Sequence, residues 1–172
     1  MMRGSGTSGV WMRIGALAVT AATALGSTGC RRDAPTASGL DGWLAGTPDE
    51  KFDVVATHLR GFDVAMVETG YRYQQLYWAG EDQNWGYADY QLQKIRTAIE
   101  HGLERRPKRA KSAETFLTMV LPAVGEAIAE RDRARFRERF GALTATCNTC
   151  HVAEKVPFVQ VAAPTIRSGP VQ

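Results

Sequence analysis

Cysteine is scarce in this chain, with three in 172 residues. So small and odd a number excludes a closed disulfide scaffold, because pairing always leaves one thiol over. Excess charge of one sign is also scarce: 21 Lys and Arg stand against 18 Asp and Glu, a net +3. Residues 1–29 hold Arg3 and Arg13 and no acid, so without those two arginines 19 basic residues face 18 acidic ones. No case for a nucleic-acid partner survives that balance. Strand-like alternation and internal repeats are both missing. A membrane-spanning run is missing too, since the apolar stretch Ile14–Leu25 stops short of the about 20 residues a span needs. With 44% hydrophobic and 23% charged residues, the composition excludes a disordered or collagen-like chain and suits one domain with one core.

Ile14–Leu25 has the length of a signal-peptide core, with Arg3 and Arg13 before it. Ser27-Thr28-Gly29-Cys30 follows, small residues leading into a cysteine. This resembles the lipobox of bacterial lipoproteins, with Ser27 standing where such boxes usually carry Leu. The resemblance implies that residues 1–29 are a signal peptide and that Cys30 becomes the lipidated first residue of a membrane-anchored periplasmic protein. Plain secretion with cleavage near Cys30 is the alternative. Residues 30–46 are small, contain Gly and Pro, and have no period, which predicts a flexible tether.

A domain over residues 47–155 then begins with Thr47-Pro48-Asp49-Glu50, a capping box with Pro at the first helical position. Phe52, Val55, Leu59, Phe62, Met66, Tyr73 and Leu76 keep helical spacing, interrupted only by Thr69, until Gly80. Asn84 can cap a second helix carrying Trp85, Ala88, Leu92, Ile95 and Ile99, ending near Gly102. A third carries Ala113, Leu117, Val120, Val124 and Ala127, with a kink expected at Pro122. Asp132 caps a fourth, whose stripe is Phe136, Phe140, Leu143, Cys147 and Cys150. Four amphipathic helices with short connections predict an all-α, up-down-up-down four-helix bundle. Residues 156–172 form a proline-containing tail.

The fourth helix carries the chemistry. Cys147-Asn148-Thr149-Cys150-His151 reads C-x-x-C-H, the attachment sequence for c-type haem. Two thiols three residues apart can each bond one vinyl-derived carbon of the porphyrin, and the adjoining imidazole then reaches the iron. A thioredoxin-like pair would want a βαβ context, which is absent. A zinc site would need a further ligand, and only His58 and His101 remain, with no second pair.

Small cytochromes of the first class carry this motif near the N-terminus and a Met ligand downstream. Only 21 residues follow His151 here, and none is Met. The late motif and the four stripes over about residues 48–155 resemble the class II c-type cytochromes, the cytochrome c′ and cytochrome c-556 group. That resemblance implies one covalent haem c, with Cys147 and Cys150 as thioether anchors and His151 as proximal iron ligand. It also implies that the first helix supplies the sixth position. Equal rise along the helices puts His151 opposite about residue 60 and Cys147 opposite about residue 64, so Leu59, Phe62 and Met66 are the stripe residues at that height. Met66 is the candidate sixth ligand. Phe62 or Leu59 over the iron would leave it five-coordinate. The tail after His151, Val156-Pro157-Phe158 through Pro170, departs from that group in its length, and either lies over the haem edge or hangs loose.

Arg105, Arg106, Lys108, Arg109 and Lys111 form a basic loop at the same end, a candidate docking patch for an acidic redox partner or simply a solvated loop. Tyr71, Tyr73, Tyr77, Trp78, Trp85, Tyr87 and Tyr90 are expected to pack the first helix corner, away from the haem. The function expected is one-electron transfer by an exported monohaem cytochrome, with gas binding or service in a larger oxidoreductase as the alternatives. Substrate-transforming catalysis is not expected.

Overall fold

The computed structural model describes residues 36–167, so the expected signal peptide and Cys30 lie outside the described residues. Among the described residues the chain is helical, with no strand beyond an isolated bridge between Ser38 and Leu44. Among them, too, no helix is long and apolar enough to cross a membrane.

Helix α1 (Pro48–Leu59) opens on the complete capping box: Thr47 N–H donates to Glu50 Oε2 at 2.7 Å, and Glu50 N–H donates to Thr47 Oγ1 at 3.4 Å. The first helix does not run on to Gly80 as expected. It stops at Arg60, and α2 (Phe62–Glu81) starts afresh. The causes are local. Arg60 adopts φ 60°, Gly61 has little helix propensity, and Asp63 competes for the backbone by accepting from Gly61 N–H at 3.0 Å while pairing with the Arg60 guanidinium. Helix α1 buries nothing; Phe52 is 72% exposed and Leu59 58%. The packed bundle begins at α2.

Helix α3 (Trp85–Arg105) follows a three-residue turn and is capped by Asn84, whose Oδ1 accepts from Tyr87 N–H at 3.2 Å. Next, α4 (Ala110–Thr115), a π-helical turn (Phe116–Val120) and α5 (Leu121–Ala129) run as one rod. Pro122 explains the wide turn. It has no N–H to donate and its ring crowds the carbonyl four residues back, and opening the preceding turn absorbs that misfit. The extra width shifts the buried face, so that Phe116, Leu121 and Ile128 are buried with Ala113, Val124 and Ala127, while Leu117 and Val120 are only partly covered. Asp132 Oδ1 accepts from Arg135 N–H at 3.0 Å and starts α6 (Arg133–Ala153).

The core joins all four rods. Leu76, Ile95, Leu121, Val124, Phe136 and Leu143 are each under 2% exposed, and each is worth roughly 1.5–3 kcal/mol of burial. Gly80 brings α2 against α6, because a Cβ there would overlap the Phe136 ring. Next to it Glu81 accepts from Arg137 Nε at 2.6 Å and Arg133 Nη2 at 2.8 Å. The Arg137 bond foremost, with Arg133 in support, holds the Glu81 carboxyl down at about 2 against the opposing effect of burial.

Two outcomes follow from this contact. Gly80→Ala should lower the unfolding free energy by about 1–3 kcal/mol in a denaturant titration, and an unchanged midpoint would mean that the ring has room to move. A depressed carboxyl contributes its full stability above the ordinary value of 4.5 and loses it as pH falls through about 2. Thermal melts across that window should therefore fall more steeply for the wild type than for Glu81→Gln.

Candidate functional site

A cavity of about 440 Å³ opens where α2 begins and α6 ends. Helix α2 lines it with Phe62, Met66, Thr69 and Tyr73, α3 with Ile99, and the π-helical turn with Phe116. Helix α6 contributes Cys147, Cys150 and His151, and the tail beyond it contributes Val156, Val159 and Val161. The walls are mostly apolar, and the volume is that of an ordinary small-molecule site. The structure thus gathers four residues singled out in the sequence, Met66, Cys147, Cys150 and His151, onto one cavity.

The register behind the Met66 expectation needs correction. Tyr73 hydroxyl and Thr144 Oγ1 lie 2.7 Å apart, and Gly80 meets Phe136. Continued at 1.5 Å per residue along both helices, these pairs put His151 level with about residue 66 rather than about residue 60. The offset arises because α6 begins about two residues beyond the end of α2, as the Arg133–Glu81 and Arg137–Glu81 pairs show. Leu59 drops out of the site, standing exposed on α1. His58 is also exposed and packs edge-on against Trp43, with ring centroids 5.1 Å apart. His101 is exposed on α3.

Tyr73 was expected at the far corner with the other aromatics. It is instead a buried wall of the cavity, its ring tilted against that of Phe140 with centroids 4.7 Å apart. Burial, before any other cause, pushes its hydroxyl pKa up.

Both thiols are free. Burial pushes Cys147 up to about 12, helped by the neighbouring Cys150, and burial also raises Cys150, against a hydrogen bond from Ser112. At neutral pH the cavity therefore presents two protonated sulfurs. Of the basic loop, Arg109 alone lines the cavity. Its guanidinium pairs with Glu154 and sits 5.5 Å from the centre of the Phe62 ring. Arg106 lies against Gly61, while Lys108 and Lys111 are exposed.

Two contributors escaped the sequence reading, and the tail takes one of the two courses open to it. Phe116 reaches the cavity through the π-helical turn. Thr69, the interruption in the α2 stripe, turns out to line the cavity with its Oγ1 buried and without a hydrogen-bond partner. The tail folds back across the opening, where His151 Nδ1 lies 2.7 Å from the Val159 carbonyl, and Arg167 fastens the far end on Asp82 and over the Trp78 ring. Among the described residues no three His, Cys, Asp or Glu side chains converge as a site for a bare metal ion.

Comparisons with protein-family models, with curated proteins and with solved structures find no match for this chain.

The thiol environments make a measurable difference. In the chain with both thiols unmodified, at mildly alkaline pH, an alkylating reagent should modify Cys150 before Cys147, because the more deeply buried sulfur holds its proton more tightly. Mass mapping of partly alkylated chain reads the order, and Cys147 reacting first would contradict the burial described.

Proposed function

We propose that this chain is an exported monohaem c-type cytochrome of the class II kind, acting in one-electron transfer from an up-down-up-down bundle tethered through Cys30 to a periplasmic membrane face. One observation carries the reading: Cys147, Cys150 and His151 share the wall of a mostly apolar cavity of about 440 Å³, with Met66 on the same cavity from another helix. The residues suit the group. Two free thiols stand at the C-x-x-C spacing, the imidazole follows at once, and the hydroxyl of Thr69 is left without a partner inside the cavity. The helix order is supported by the same contacts, since Tyr73–Thr144 and Gly80–Phe136 step in opposite directions along α2 and α6.

Haem, when bound, supplies an iron centre that changes charge by one electron. The chain does the rest. Cys147 and Cys150 would hold the group, and His151 would offer its iron a nitrogen. Tyr73, Ile99 and Phe116 give the cavity mostly apolar walls, which limits the reorganisation that accompanies a change of charge. Arg109, with the exposed Lys108 and Lys111, sets a positive field at that end suited to an acidic redox partner. No substrate-transforming chemistry is proposed.

Met66 is the proposed sixth ligand, now level with His151. A second reading, binding of a diatomic gas by five-coordinate iron, is favoured by one observation: Phe62, a side chain that cannot ligate, lines the same cavity. The optical spectrum of the ferrous protein separates the two. A low-spin spectrum indifferent to carbon monoxide supports electron transfer, and Met66→Ala should then convert it to a high-spin spectrum that responds to the gas. A wild type that is high-spin and binds carbon monoxide would overturn Met66 ligation and favour gas binding.

A further inference from the structure

Asn148 lies inside the C-x-x-C-H run, between the two cysteines, where no chemical role is required of it. It does not face solvent alone. Its Nδ2 donates to the Val161 carbonyl at 2.9 Å, and its Oδ1 accepts from Val161 N–H at 2.8 Å. The side-chain amide thus satisfies both backbone groups of one tail residue, as a neighbouring strand would. Two residues earlier in the tail, the Val159 carbonyl lies 2.7 Å from His151 Nδ1. A carbonyl only accepts, so the proton of that bond sits on Nδ1 and the lone pair is left on Nε2. Asn148 and His151 are three residues apart on α6, hence on one face of the helix. The fastened residues, Val159 and Val161, line the cavity together with Val156.

We infer that Asn148 is a positioning residue, clamping the Val159–Val161 strap so that the Val159 carbonyl fixes the tautomer and electron richness of His151. The inference rests on the haem reading and deepens it. A proximal imidazole that donates to a carbonyl is more basic, which favours the ferric state and lowers the potential. Residues that orient a metal's histidine in this way typically alter metal affinity by about 10–100-fold on removal. The strap also needs no sequence signal of its own, since two β-branched residues suffice once the amide holds the backbone.

The test uses the haem-loaded full chain with two neutral variants. Asn148→Leu removes the clamp from α6, and Val161→Pro removes one of its two hydrogen bonds while leaving the helix untouched, which guards against a folding defect. In Asn148→Leu the midpoint potential should rise by about 59 mV, corresponding to a roughly tenfold change in the ferric-to-ferrous preference. Val161→Pro should shift it in the same direction by less, and the iron–histidine vibration should weaken in both. Haem retained on the denatured chain but a potential and vibration unchanged in both variants would overturn the role of Asn148 alone. A denatured wild-type chain carrying no haem would overturn this inference together with the reading beneath it.

Discussion

The apolar face of α6 is the constraint on which the rest depends. Phe136, Phe140 and Leu143 bury themselves against α2, α3 and α5, and the same face continues one turn further as Cys147 and Cys150. A helix cannot slide part of its face. Packing the two phenylalanines therefore sets the height and rotation of both thiols and of His151, to the extent that the helix is rigid over those turns. Gly80 and Glu81 reinforce this, the one by allowing close approach to Phe136 and the other by taking the charge of Arg133 and Arg137 at the outer end. Core and candidate cofactor site are thus one packing problem.

The opposite wall is built to different rules. On α2 the residues near its first turns, Phe62, Met66 and Thr69, pack only partly against the core and enclose a cavity instead. Gly102 helps set that wall, since a Cβ on it would come within 2.8 Å of Ala65 and of the Phe62 ring. A bundle that leaves about 440 Å³ among well-packed helices forgoes contacts that would otherwise stabilise it. That loss is expected where a bound group supplies the missing contacts.

Local signals in the sequence were easy to read because they act within a few residues. Thr47, Asn84 and Asp132 cap helices by reaching a backbone N–H three residues on, and Phe136 to Cys150 declare one face by spacing alone. The failures came where neighbours in space decide. The stripe through Leu59 and Phe62 kept a helical period across Arg60 and Gly61, yet Asp63 broke the helix there and left Leu59 in solvent. Pro122 announces a disturbance but not its form, and the place of Phe116 depends on that form. The level of Met66 against His151 depended on how far α6 overhangs α2, which the turn lengths do not encode. The fastenings of the tail on Asn148 and His151 were invisible because the partners lie 13 and 8 residues apart in a segment without periodicity.

The account stands on covalent attachment at the end of α6. The most direct measurement is the intact mass of the chain isolated from the exported fraction under denaturing conditions, followed by mapping of the peptide that contains residues 147–151. One haem held through Cys147 and Cys150 is the predicted result. Two unmodified thiols on that peptide, in cells competent to attach haem to other proteins, would contradict it.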